Sequence, residues 1–260
     1  MHRATTVGDA DYSRIAAAYD TYRRPDSRLA ARIEAALGSA RSVLNVGAGA
    51  GAYEPAARAV TAVEPSAVMR ARRPKSLGPA VDAVAEELPF EDRSFDAAMA
   101  IFSVHQWRDL QRGLSEMRRV ARGPVLILTC DPTQVQDFWL GDYCPEVLAV
   151  EARRYPGMAQ LERALGPLRI EAPPIALDCT DGFQEAYYGR PEMFLDPEAR
   201  DACSAWSFVE PSVIARFETR LAMDLASGAW DARFGPLRRL QAYVGALRLV
   251  TASGVTHPAA

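Results

Sequence analysis

The stretch from Ser42 to Glu64 constrains this chain more than any other. Ser42-Val43-Leu44-Asn45-Val46 is a short apolar run, and Gly47-Ala48-Gly49-Ala50-Gly51 follows it without a gap. Ala59 to Val63 is a second run, small and β-branched, which ends on an acid, Glu64. Two such runs flanking a glycine turn predict adjacent strands of an α/β sheet. Alternate glycines let the main chain turn sharply and let a ligand approach the backbone without meeting a Cβ. In a parallel sheet that turn faces the crevice at the carboxyl ends of the strands, where ligands bind. A carboxylate closing the second strand can accept two hydrogen bonds from a ribose diol.

Taken alone, the turn could be a tight corner in any α/β protein, and Glu64 a surface carboxylate. A dinucleotide site wants GxGxxG, and here the third glycine falls one position early. The lysine of a phosphate-binding loop is also missing. The spacing suits a nucleoside without a pyrophosphate.

Strand and helix alternate through the first half. Ser13–Tyr22 and Asp26–Leu37 have helical spacing and are separated by Pro25, with Gly38 placed to cap the second. A helix is expected from Pro65 to Ala71, a weaker strand over Asp82–Ala85, and a strand buried on both faces over Phe95–Phe102. An amphipathic helix over Leu110–Val120 and a buried strand over Pro124–Thr129 complete the pattern. The second half changes character. Cys144–Leu165 reads as helical, and Arg169–Asp178 as an edge strand interrupted by Pro173-Pro174. Thr180–Arg238 reads as irregular and helix-rich, and Gln241–Thr251 as a closing strand.

The expected fold is α/β: a Rossmann-like, doubly wound, mostly parallel sheet of seven strands, with a helical lid inserted between the last two. The expected divisions are an N-terminal helical cap (1–40), a core (41–178), the lid (179–238) and the closing strand (239–253).

A formal net charge of −3 provides no basic excess for neutralising phosphates, so nucleic acid is not an expected partner. Arg118, Arg119 and Arg122 cluster at a helix end, where positive charge suits the dipole. The four cysteines show no metal-ligand or redox spacing, and no apolar run is long enough to span a bilayer. Free thiols in a reducing cytoplasm, with no membrane and no metal, are the expectation.

Several motifs together resemble the class I S-adenosylmethionine (SAM)-dependent methyltransferases. Val43–Gly51 resembles their first motif and Val63-Glu64-Pro65-Ser66-Ala67-Val68-Met69 their second. Ala85-Glu86-Glu87-Leu88-Pro89-Phe90 with Ser94-Phe95-Asp96 resembles a signature of the branch that includes the ubiquinone and menaquinone C-methyltransferases. Ser103-Val104-His105-Gln106-Trp107 resembles the segment after the fourth strand, and Met117-Arg118-Arg119-Val120 the helix before the fifth. The resemblance covers roughly residues 10 to 130. It implies SAM as cofactor and S-adenosylhomocysteine as product, while the large helical insertion favours a small enclosed acceptor over a protein or nucleic acid. Gly47, Ala48 and Gly49 would lie against the methionine part, with Phe102 and Ser103 near it. Glu64 would hold the ribose. Pro65 and Leu88 would sandwich the adenine, with Ala85 and Glu86 at its edge. Tyr19 and Arg24 resemble a segment that folds over SAM. Asn45 and Val84 stand where many members have Asp.

For chemistry at the acceptor, His105 is the expected base or orienting group. Trp107, Tyr143, Tyr187, Tyr188 and Trp206 are the aromatics that could cage a cation, with Tyr187 and Tyr188 carried as catalytic candidates. Asp131 is either at the cleft rim or a helix cap. Tyr19 could instead pack a helix, and Arg24 could pair with Asp20. His2 and His257, near the chain ends, are poor candidates. Competing readings are a SAM enzyme that releases methylthioadenosine, a non-catalytic SAM-binding protein and, least favoured, a nicotinamide oxidoreductase.

Overall fold

The computed structural model describes residues 19–254, with side chains from residue 21 onward. The chain opens with the short helix α1 (Tyr19–Tyr22) and α2 (Ser27–Leu37). Asp26 caps α2 by accepting the Arg28 N–H at 2.9 Å. The core then runs β1 (Ser42–Val46), β2 (Ala59–Val63), α3 (Ala67–Ala71), β3 (Ala97–Ile101), α4 (Leu110–Val120) and β4 (Val125–Cys130). Next come α5 (Pro145–Arg154), α6 (Met158–Leu165), β5 (Leu168–Glu171) and β6 (Ile175–Ala176). The insertion contains α7 (Pro197–Asp201), α8 (Pro211–Ser227) and α9 (Ala229–Phe234), and the chain closes with β7 (Ala242–Tyr243) and β8 (Leu247–Ala252).

The main sheet has six strands in the order β2-β1-β3-β4-β8-β5, parallel from β2 to β4, with β8 antiparallel to both neighbours. Strand alternation divides the interior into two cores. Val43, Met99 and Leu128 face α2 and the insertion, while Leu44, Ala98 and Ile127 face α4 and α6. Both faces of the sheet are thus covered, as a doubly wound fold requires.

Three expectations need correction. The seventh strand does not form over Asp82–Ala85. Only Val81 pairs with β2, through Val81 N–H to Ala62 and Glu64 N–H to Val81. The chain then leaves the sheet, Asp82 pairs with Arg70 at 2.7 Å, and Val84, Ala85 and Glu86 turn to line a cavity. The closing strand is split at Gly245, because the buried Glu185 carboxylate takes the Ala246 N–H and bends the chain there. Its first part, β7, pairs with β6 in a separate two-stranded sheet. The Pro173-Pro174 break similarly divides Arg169–Asp178 into β5 at the sheet edge and β6. In chain order the insertion runs between β6 and β7. Of the helix expected over Ser13–Tyr22, only Tyr19–Tyr22 falls within the described residues.

Among the described residues no helix is long and apolar enough to cross a membrane, and no group of side chains could hold a metal ion. All four cysteines are free and buried.

Candidate functional site

The glycine turn leaves β1 between β2 and β3, where the direction of strand succession reverses. Gly47 and Ala48 both donate N–H to the Val63 carbonyl at 2.9 Å, so the turn folds back over β2. Gly47 has φ +68°, and a Cβ there would stand 2.6 Å from Cβ of Ser103. Only glycine satisfies both conditions. Ser103 in turn donates to the Val46 carbonyl at 2.8 Å, which locks the ends of β1 and β3 together.

Glu64 is buried at the end of β2 and lines the cavity. One of its oxygens accepts the Gly49 N–H and the other the Ser66 N–H, each at 2.8 Å. Burial raises its pKa, while those N–H groups, Arg70 and Arg73 pull the other way. A carboxylate has about four acceptor positions, so two remain for a ligand.

Asn45 donates to Glu54 at 3.1 Å, and Glu54 is held by a buried bidentate pair with Arg73. The Oδ1 of Asn45 is buried without a partner and belongs to a cavity-lining residue. It is an acceptor awaiting a donor, such as the ammonium group of an amino acid.

These residues form one end of a cavity of about 500 Å³. Arg24, Ala48, Pro65, Ala85, Glu86 and Phe102 also line it, as do Gly47, Gly49 and Ser103. Leu88 does not: its side chain is buried against the second core, and its N–H is bound to Glu116. Glu86 is partly committed, because its carboxylate accepts the N–H groups of Arg108 and Asp109. The Tyr19 side chain lies outside the described residues.

The other end is built from distant parts of the chain. Arg23, His105, Glu151, Tyr155, Phe183 and Gln184 line it, with Asp181 and Cys203 nearby in its wall. Arg23 pairs with the buried Asp181 at 2.5 Å, which also accepts the Tyr53 hydroxyl at 2.9 Å. The Arg23 guanidinium sits 5.3 Å from the centre of the Phe102 ring. Phe102 holds a left-handed φ of +51°, a strained conformation for a bulky residue, and it sits in the cavity wall.

His105 packs edge-on against Tyr155, with ring centres 4.9 Å apart. Burial, together with the nearby cations Arg154 and Arg23, holds its pKa well below the usual histidine value. The imidazole is therefore neutral at pH 7, and its Nδ1 is buried without a partner.

The aromatic cage does not form. Of its five candidates only Trp107 lines the cavity. Tyr188 stacks on Tyr243 and donates to the Leu240 carbonyl, while Tyr187 packs against Phe194. Trp206 donates to Gln184 at 2.8 Å, and Tyr143 to Asp224 at 2.8 Å. All four are core of the insertion or of its base, so Tyr187 and Tyr188 are not placed to touch a reacting group. Asp131 accepts from the Thr133 N–H and hydroxyl, holding the turn after β4. Glu151, Tyr155, Asp181 and Gln184 were not legible as site residues. Glu151 looks like one more acid on an amphipathic helix, and only the packing of α5 turns it inward.

The family described as a methyltransferase domain matches residues 44–127. Among solved structures, one similar to this chain is an Anabaena variabilis protein named as a candidate methyltransferase from an antibiotic biosynthesis pathway. It is 28% identical, with a TM-score of 0.81, over 89% of this chain and 99% of that one. A geranyl diphosphate C-methyltransferase from Streptomyces coelicolor A3(2), in complex with S-adenosyl-L-homocysteine, shares the fold at 15% identity and TM-score 0.50, over 88% of this chain and 79% of that one. The [4+2]-cyclase SpnF does so at 17% identity and TM-score 0.51, over 87% and 79%. No curated protein matches the sequence. Residues 44–127 are a methyltransferase domain, of a kind that uses SAM, which makes the chain an enzyme.

Proposed function

We propose that this enzyme transfers a methyl group from SAM to a small-molecule acceptor enclosed with it in the one cavity between the sheet and the insertion. The observation that carries the reading is the continuity of that cavity, from Glu64 and the glycine turn at one end to His105, Tyr155 and Gln184 at the other. At about 500 Å³ it falls within the roughly 300–1,000 Å³ of small-molecule sites. Asp181, Phe183, Gln184, Ala202, Cys203 and Ser204 of the insertion complete its lining, which suits a small acceptor better than a macromolecule.

In this reading Glu64 accepts from the ribose hydroxyls, and Asn45 Oδ1 accepts from the methionine ammonium. The glycine turn lets the carboxylate-bearing end approach the backbone. Pro65 and Val84 flank the base, with Ala85 and Glu86 beside them. Arg24 and Tyr19 belong to a segment that closes over the nucleoside. SAM supplies a methyl carbon already activated by positive sulfur, so the protein's main contribution is alignment, worth several kcal/mol. His105, neutral and flanked by cations, is a poor proton acceptor, and its role is to orient the acceptor by hydrogen bonding.

Calorimetry with SAM and S-adenosylhomocysteine, followed by SAM carrying a labelled methyl group with pools of small phenols, hydroxy acids and amines, tests this. Binding of both nucleosides and one S-adenosylhomocysteine per labelled product is the expected result. Release of methylthioadenosine would replace methyl transfer with another SAM reaction. Absence of binding would end the reading.

A further inference from the structure

Two carboxyls near the acceptor end are used by no step above: Glu151, half-buried in the cavity wall, and Glu185, buried behind it. Their surroundings separate them. Both oxygens of Glu185 accept the Ala246 N–H, at 2.8 and 2.9 Å, and the Leu247 N–H adds to this. Glu185 is thereby committed to holding the bend before β8. Glu151 has no such backbone nest. It sits on α5 and lines both the main cavity and a small pocket that adjoins it.

Its neighbours form a polar wall on the acceptor side. Tyr155, at the end of the same helix, presents its ring to His105. Gln184 gives its carboxamide oxygen to the Trp206 indole N–H, which turns its amide nitrogen toward Glu151.

We propose that Glu151 is the carboxyl that receives the proton of the acceptor's O–H or N–H during methyl transfer, with His105 and Tyr155 orienting that acceptor. The inference rests on reading the cavity as the SAM site. In the step, the acceptor's lone pair forms the bond to the methyl carbon. The carbon–sulfur bond breaks with its pair remaining on sulfur, and the acceptor's proton passes to a Glu151 oxygen.

The charged and titratable groups around Glu151 come from every packed element. Arg154 and Tyr155 share its helix, Cys130 ends β4 and Arg23 precedes α2. Glu185 and Cys203 belong to the insertion, and His105 follows β3. Burial first, then repulsion from Glu185, pushes Glu151 up to about 8, against the opposing pull of Arg154, Gln184 and Arg23. It is thus mostly protonated at neutral pH, and a cation arriving in the cavity favours its carboxylate form.

That gives a test that needs no acceptor. SAM carries a positive sulfur and S-adenosylhomocysteine does not. Calorimetry at pH 7.5 in buffers of different ionisation enthalpy counts the protons released by each ligand. Wild type is expected to release about half a proton more with SAM than with S-adenosylhomocysteine. Glu151→Gln is expected to abolish the difference while binding S-adenosylhomocysteine within about threefold of wild type. Glu151→Asp, which keeps a carboxyl, is expected to retain it. A difference that persists in Glu151→Gln, or is absent from wild type although both ligands bind, overturns the proposal. If neither ligand binds, the cofactor reading itself fails and takes this inference with it.

Discussion

The two ends of the cavity are built by different rules. The glycine-turn end, where the proposal puts the nucleoside, is local: turns after β1 and β2, fixed by backbone hydrogen bonds between residues close in sequence, such as Gly49 with Glu64. The acceptor end is assembled from remote segments. Arg23 meets Asp181, 158 residues away, and Tyr22 meets Asp196, 174 residues away. Backbone geometry dominates the first, whereas the second depends on buried charged and titratable side chains.

The largest expected effect falls on the assembled end. Asp181→Ala removes one partner of Arg23 and the acceptor of the Tyr53 hydroxyl, both largely buried. Breaking such a pair costs about 3 kcal/mol or more, read as a lowered midpoint in urea. If stability barely changed, the acceptor end would not depend on its long-range latch. At the local end, Glu64→Ala strands the Gly49 and Ser66 N–H groups and deletes the acceptor proposed for ribose. S-adenosylhomocysteine affinity should fall about 100-fold, or about 2.7 kcal/mol, by calorimetry. Unchanged affinity would break the assignment of the two ends.

Acid should loosen the latch selectively. Asp26 accepts from Arg28 and from the Thr180 N–H, and the Arg28 hydrogen bond lowers its pKa to about 2. Its folded value is depressed, so its stabilisation is complete above the usual carboxylate pKa and is lost as pH falls from about 4 to 2. Asp26→Asn should therefore cost at most about 2 kcal/mol at pH 7 and little at pH 2, by urea unfolding at both. His105→Ala should lower turnover about tenfold, or about 1.4 kcal/mol, without moving the pH profile, because the imidazole is already neutral across that range. A lost limb in that profile would return the proton-transfer role to His105. The smallest effect is Tyr188→Phe, which removes one hydrogen bond to Leu240 and should cost about 1 kcal/mol of stability. Its S-adenosylhomocysteine affinity should equal that of wild type. A large loss of turnover without loss of stability would restore Tyr188 as a catalytic group.

Much of the core was legible because its signals are local. The β1 and β2 boundaries, the α4 span and the cap at Gly38 follow from residue type and period within a few positions. The seventh strand was misread because the apolar pattern near Val81 is real, but the chain departs from the sheet after one residue to line the cavity. Leu88 and the tyrosine pair were misassigned for a related reason. A motif position or an aromatic side chain does not say which way it points.

The sequence by itself determined the glycine-turn end: a glycine turn needs only its own backbone freedom, and an acid at a strand end inherits its position from the strand. Only the tertiary structure decided the acceptor end. There burial, set by the packing of α5 and the insertion, lowers the pKa of His105, commits Glu185 to the backbone and leaves Glu151 in the cavity wall. Protonation and orientation of this kind depend on which groups surround a side chain in three dimensions, and those neighbours lie more than a hundred residues apart along the chain in several cases.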